Sequence, residues 1–258
     1  MNPTSPLAGP RAGWHSLVAG LVVAATLLWT QAFAQGPDPA PFDALLRANV
    51  GQGQVSYAGF QDSTAFEAYV AGLAKPAHLD GREATLAFNI NAYNAFAIQG
   101  ILDGLSPSST LGRVRYFRLK EWALDGRRIS LNDLEHQVLR PLGDPRIHFA
   151  IVCASRSCPF LRSEAYTAAK LDAQLDDQAR AFVNDPFRNR FDKATKTAHL
   201  SEIFKWFDED FRGAAGSVQR YLARYVADPD VARALAQDGY RVEWIDYDWT
   251  LNGTPPRR

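Results

Sequence analysis

Two cysteines, five histidines and a single methionine among 258 residues leave little material for sulfur or metal chemistry. A four-cysteine zinc site is excluded, and a mixed site would consume most of the remaining candidates. Any excess of charge is also missing, because 28 basic side chains face 28 acidic ones. Nothing therefore draws the whole chain toward nucleic acid or an anionic surface, and no nucleic-acid partner is expected. The sequence has no internal repeat, low-complexity tract or long charge run, and nothing in it calls for a cofactor. With 47% apolar residues, a chain of this length buries about two thirds to three quarters of the surface it exposes when unfolded, so its core needs no disulfide or metal.

Long apolar runs are equally scarce. The clearest covers residues 17–29, follows a short polar start carrying Arg11 and His15, and precedes Ala32-Phe33-Ala34. As a helix it would span about 20 Å, short of the roughly 30 Å hydrocarbon layer. The three-part pattern is that of an export signal over residues 1–34 with an A-x-A cleavage site. A periplasmic or secreted protein with no stable membrane span after cleavage is expected. Export places the cysteines in an oxidising setting, where a disulfide becomes a serious alternative to free thiols.

Residues 35–54 read as a proline-rich linker and N-terminal extension, with folded structure from about Phe42; residues 55–252 read as one domain and 253–258 as a tail. Capping-box spacing at Thr64-Ala65-Phe66-Glu67 opens a short helix. Apolar side chains fall nearly all round a helical wheel over residues 83–105, which predicts a central buried helix. Asn91 and Asn94 lie within it, where an amide must find partners: they either hold neighbouring backbone or line a polar site. Asp125-Gly126 signals a hairpin between residues 116–119 and Arg128-Ile129. Ser130 and Asp133 cap the next helix, whose Leu131, Leu134 and Val138 form an apolar stripe with Glu135 within about 40° of Leu131. Residues 145–153 read as a strand with Ile147, Phe149, Ile151 and Cys153 on one face and Arg146 and His148 on the other. Further helices are expected over residues 167–184, 201–211, 217–226 and 230–237, and a last strand over 240–247. The class is α+β: a single domain of helices packed on a small, mostly antiparallel sheet.

Chemistry concentrates at the cysteines. Cys158 precedes Pro159, and if that proline starts a helical turn the thiol sits at a helix N-terminus, where the dipole lowers its pKa. Cys158 is then the candidate nucleophile, His148 or His136 the candidate base, Glu135 the group orienting the imidazole, and His199 a third histidine. The five peptide steps from Cys153 to Cys158 span at most about 17 Å, so the chain can fold back to bring His148 near. The competing readings are a Cys153–Cys158 disulfide and a metal site drawing on His136, His148 and the cysteines. The C-x4-C spacing is not the C-x-x-C of thioredoxin-like redox centres.

Five blocks carry a resemblance: Asn89-Ile90-Asn91-Ala92-Tyr93-Asn94-Ala95, Ser130-Leu131-Asn132-Asp133-Leu134-Glu135-His136, Arg146-Ile147-His148-Phe149-Ala150-Ile151-Val152-Cys153-Ala154-Ser155-Arg156-Ser157-Cys158-Pro159, Leu200-Ser201-Glu202-Ile203-Phe204-Lys205-Trp206-Phe207 and Tyr247-Asp248-Trp249-Thr250-Leu251-Asn252. In this order the chain resembles the domain-of-unknown-function family numbered five hundred and forty-seven, with the cysteine block its most specific part. The resemblance implies a fold similar to papain-like or transglutaminase-like thiol enzymes, although in papain-like enzymes the cysteine precedes the histidine, whereas His136 and His148 precede Cys158 here. The expected function is an exported Cys–His hydrolase or acyltransferase with catalytic Cys158, His148, Glu135 and His136. Asn91, Asn94, Cys153 and Arg146 are the candidate binding residues, and the partner is a small molecule, a peptide or another envelope substrate. The alternative is a non-enzymatic envelope binding domain with a structural disulfide.

Overall fold

A proline in the first turn of a helix costs no hydrogen bond, and the segment Ala40–Asn49 uses Pro41 in this way to form helix α1, with Phe42 and Leu46 buried. Folded structure, expected from about Phe42, thus starts at Ala40. The computed structural model describes residues 36–257, and the export signal expected over residues 1–34 lies outside them. Strands β1 (Val50–Gly51) and β2 (Gln54–Ser56) lead to α2 (Thr64–Leu73), where the Ser63 hydroxyl accepts the Phe66 N–H at 3.3 Å. The long apolar segment forms α3 (Gly81–Leu102), buried on nearly every side from Leu86 to Ile101. No described helix is long and apolar enough to cross a membrane.

Helix α4 (Thr110–Arg113) runs into a π-helical turn, Val114–Leu119. Residues 116–119 are therefore not a strand. Tyr116 fixes the turn by donating its hydroxyl to the Ala97 carbonyl at 2.7 Å, and its ring lies so close to α3 that any Cβ at position 100 would sit 2.8 Å from it. Only glycine fits there. The hairpin pairs β3 (Glu121–Leu124) with β4 (Arg127–Ser130), and Asp125 and Gly126 take φ of 49° and 73°, the backbone of a two-residue hairpin turn. Ser130 then caps α5 (Leu131–Asp133), its Oγ 3.1 Å from the Asp133 nitrogen, and α5 continues into a second π-helical turn, Leu134–Leu139. A π turn inserts a residue into a helix and re-aims the side chains it carries, and such turns cluster at functional sites.

The expected strand over residues 145–153 is instead a 3-10 helix, Pro145–Phe149, followed by irregular chain. The β-propensity there is overridden by side-chain partners. Asp144 accepts the Arg146 N–H at 3.1 Å, and Asn94 takes both Ala150 O and Val152 N, leaving no strand edge to pair. Helix α6 (Leu171–Val183) follows, then β5 (Arg190–Asp192), β6 (Thr197–Ser201), α7 (Ile203–Trp206), α8 (Asp208–Ala215), α9 (Val218–Leu222), α10 (Pro229–Leu235), β7 (Arg241–Ile245) and β8 (Gly253–Thr254).

The class is α+β, with the strands divided among three small sheets in the described residues: β1-β2-β8, β3-β4 and β5-β6-β7. Three of the five pairings are antiparallel; β2–β8 and β6–β7 are parallel. One apolar core surrounds α3, and a second gathers Phe149, α6, β6, α8 and α9. Ile147 and Ala150 belong to the first core and Phe149 to the second, so the 3-10 segment is the seam that fixes where the cysteine loop begins.

Candidate active site

The cysteine loop is held by its polar groups rather than by regular structure. Pro159 starts no helix, so Cys158 is not at a helix N-terminus. A turn closes instead, with the Cys158 N–H donating to Ser155 O at 3.1 Å, and Ala154 takes φ of 58°, a left-handed conformation that costs a non-glycine residue free energy. Three other segments clamp this turn. The C-terminal stretch pairs with it through Arg156 N to Thr250 O (2.8 Å), Ser157 N to Asp248 O (3.2 Å) and Asn252 N to Ala154 O (3.2 Å). Arg188, almost fully buried, donates to the carbonyls of Cys158 and Arg156 and lies 4.0 Å from the Phe160 ring centre. On α3, Asn94 donates to Ala150 O at 2.9 Å and accepts from Val152 N at 3.0 Å.

Both thiols are free. The Cys158 sulfur is buried and accepts the Cys153 N–H at 2.8 Å, while Cys153 is half-buried at the cleft. Ser155 Oγ and Tyr247 OH each lie 3.0 Å from the Cys153 sulfur. Burial pushes the Cys153 thiol up, but the hydrogen bonds from Cys158, Ser155 and Tyr247 outweigh it and hold the pKa below the ordinary thiol value. Cys158 goes the other way: burial, then its hydrogen bond to Cys153 and the charge there, raise its pKa well above normal. Burial and the neighbouring sulfur charges likewise keep the Tyr247 phenol protonated. Of the two sulfurs, Cys153 is the one whose thiolate form is favoured, and it is the more exposed.

That space is a cleft of about 560 Å³, within the range of small-molecule sites. Its walls come from Tyr93 on α3, from Arg113, Val114, Phe117 and Arg118 around the first π turn, and from Glu135 and His136 on the second. Ile203, Trp206, Phe207, Tyr247 and Trp249 close the other side. Tyr247 and Trp249 pack at 4.5 Å between ring centres, and Trp206 lies 4.7 Å from Tyr247.

His148 lies behind Glu135 in this wall. Its ring is fully buried, stacked 3.9 Å from Phe207, with Nε2 2.7 Å from Asp210 Oδ2 and Nδ1 3.6 Å from Glu135 Oε1. Burial disfavours ionising Asp210, yet its hydrogen bonds to His148 and Arg140 win, and its pKa lies well below the usual carboxylate range. Nε2 therefore carries the hydrogen in that contact, and Nδ1 is left without a hydrogen-bond partner. Arg140 grips Asp210 with two bonds of 2.8 Å.

Among the sequence-predicted residues, Cys153, Cys158, Glu135, His136 and His148 thus share one cleft. Among the described residues no imidazole lies within hydrogen-bonding distance of either sulfur. Asn91 grips Tyr166 through its carbonyl (2.8 Å) and N–H (2.9 Å), and neither Asn91 nor Asn94 lines the cleft. Arg146 is engaged by Asp144, Asp172 and Asp176 away from the cleft, and His199 pairs with Glu243 on the β6–β7 sheet. The residues that sequence reasoning passed over are Ser155, Arg188, Asp210, Trp206, Tyr93 and Tyr247. Of these, Tyr93, Ser155, Trp206 and Tyr247 stand inside the recognised blocks; Arg188 and Asp210 carry no local signal.

No curated protein and no solved structure matches the chain. The family model described as "Protein of unknown function, DUF547" matches residues 76–183, leaving the stretch that supplies Trp206, Asp210 and Tyr247 beyond its end. Residues 76–183, which carry Asn91, Asn94, Glu135, His148 and both cysteines, are the part of the chain similar to that family.

Proposed function

We propose that the protein is an exported thiol hydrolase or acyltransferase in which Cys153 is the nucleophile, acting on a peptide or amide substrate of the cell envelope. The observation that carries this reading is the Cys153 sulfur in the wall of an aromatic cleft, with Ser155 Oγ and Tyr247 OH each 3.0 Å from it and a pKa held below normal. A lowered thiol pKa beside a cleft is the setting a nucleophilic cysteine uses. Cys158, Ser155 and Tyr247 are positioning residues for that thiolate.

The Cys153 sulfur attacks the substrate carbonyl and forms a C–S bond. As the amide C–N bond breaks, the departing nitrogen takes a proton through Glu135. Water or an acceptor amine then attacks the thioester and returns that proton to Glu135, the C–S bond breaks, and sulfur leaves again as thiolate. Because the thiolate form is favoured by its surroundings, this mechanism needs no direct imidazole–sulfur contact. Export rests on the expected signal over residues 1–34.

The test uses p-nitrophenyl acetate on the full chain after signal removal. Release of nitrophenolate, with a hydroxylamine-labile acetyl group mapped to Cys153 by mass spectrometry, is the expected result. Acetylation of Cys158 in preference, or equal turnover by Cys153→Ala, refutes the assignment.

A further inference from the structure

The cleft carries charge as well as a sulfur, and the charge is lopsided. Arg113 and Arg118 line it, and neither has a carboxylate partner among the described residues. Arg113 is fixed instead by neutral groups: it donates to Pro107 O at 3.3 Å and Thr110 Oγ1 at 3.0 Å, and its guanidinium lies 4.6 Å from the Trp249 ring centre. Arg118 is exposed. In a chain whose basic and acidic residues balance, two guanidiniums without a carboxylate, one ending α4 and one on the π turn that follows, are a local choice. The acid of the cleft, Glu135, stands on the facing π turn beside His148.

Resting on the reading of Cys153 as nucleophile, we infer that the substrate carries a carboxylate, which Arg113 and Arg118 take while its carbonyl is presented to the sulfur. A guanidinium binds a carboxylate through two parallel N–H bonds. Trp249, stacked 5.8 Å from Trp206, gives a flat surface beside the anion for an apolar or aromatic part of the same molecule.

Alkylation of Cys153 by iodoacetate and by iodoacetamide reads this directly. In both, the sulfur displaces iodide and an S–C bond replaces the C–I bond; only the charge of the reagent differs. The ratio of the two rates is expected to fall about threefold in Arg113→Gln/Arg118→Gln at low ionic strength, and by less in high salt. The Lys/Lys pair at the same positions restores it. Arg115→Gln, on the same turn but outside the cleft, leaves it unchanged. Benzoate at equal ionic strength suppresses the iodoacetate preference more strongly than inorganic phosphate. A ratio indifferent to Arg113 and Arg118, or phosphate competing better than benzoate, overturns the inference while the nucleophile stands. Failure of both reagents to label Cys153 overturns the nucleophile itself.

Discussion

Replacing Tyr247 by phenylalanine removes one oxygen and one donor from the Cys153 thiolate while keeping the ring that packs against Trp206 and Trp249. Tyr247 keeps its proton because burial and the adjacent sulfur charge both oppose ionisation, so its O–H points at the acceptor 3.0 Å away. A hydrogen bond to a charged group contributes about 1.5–3 kcal/mol net, which at 1.36 kcal/mol per pKa unit corresponds to a rise of about one to two units. The lower figure is the better expectation. Ser155 Oγ, which donates to Tyr247 OH at 3.2 Å, also lies 3.0 Å from the Cys153 sulfur and is released to serve it when the phenol is gone.

The sign follows from which form the donor favours. The phenol stabilises the thiolate, so the pKa is lowered with it present and rises when it is lost. At a pH below both values the thiolate fraction falls about tenfold for one unit, while the more basic sulfur is intrinsically more nucleophilic, with a Brønsted slope of about 0.4–0.5. The net expectation is alkylation about threefold to fourfold slower near neutrality, converging with or exceeding wild type at high pH. The assay is the pH dependence of iodoacetamide labelling at Cys153, with thermal unfolding as a check on folding. An unchanged or lower midpoint in Tyr247→Phe refutes the account of how this thiolate is held.

Asn94→Ala removes two buried hydrogen bonds to Ala150 and Val152 and leaves both backbone groups unpaired, a loss of about 2–4 kcal/mol in urea unfolding; a loss below about 1 kcal/mol contradicts the role assigned to it. Asp210→Asn tests the buried row. The folded pKa of Asp210 lies below its unfolded value of about 3.9, so its contacts stabilise fully above that pH and are lost as pH falls through the folded value. The stability gap between wild type and Asp210→Asn is therefore widest above about pH 4 and closes below it, and a gap independent of pH contradicts the ion pairing.

Periodicity made the fold's helical skeleton legible. The buried helix over residues 83–105, the cap at Ser130, the Asp125-Gly126 hairpin and the helices beyond residue 167 all follow from local pattern, and each has its counterpart in the structure. The misread stretches share a cause. Residues 116–119 and 145–153 have strand-like composition, but Tyr116 is drawn to the Ala97 carbonyl and Asn94 occupies the backbone of Ala150 and Val152, so tertiary partners decide the conformation. The same holds for the site. Residue type sufficed to pick out Cys153, Cys158, Glu135, His136 and His148, which converge on one cleft. Which sulfur has the lowered pKa depends on Tyr247, 94 positions away, and the imidazole's partner Asp210 is 62 positions away; no local pattern encodes either.

The irregularity of the cysteine loop has its own logic. Had residues 145–153 formed a strand, Cys153 would have lain on a pleated face with its N–H committed to a neighbouring strand. In the turn that forms instead, that N–H is free to bind the Cys158 sulfur, which in turn directs its own proton to Cys153, so one buried thiol is spent as a donor to make the other acidic. A loop able to do this has no ladder to hold it. Its order must come from side chains reaching in from distant segments: Asn94 from α3, Arg188 from the stretch after α6, and the Tyr247–Asn252 stretch from the C-terminus. The left-handed backbone at Ala154 persists because these bonds over-determine it. The recognised blocks far from the cysteines in sequence therefore serve the site rather than only the core: the asparagine helix and the C-terminal Tyr247–Asn252 segment are the two sides of the clamp that holds the loop in which one thiol's pKa is lowered.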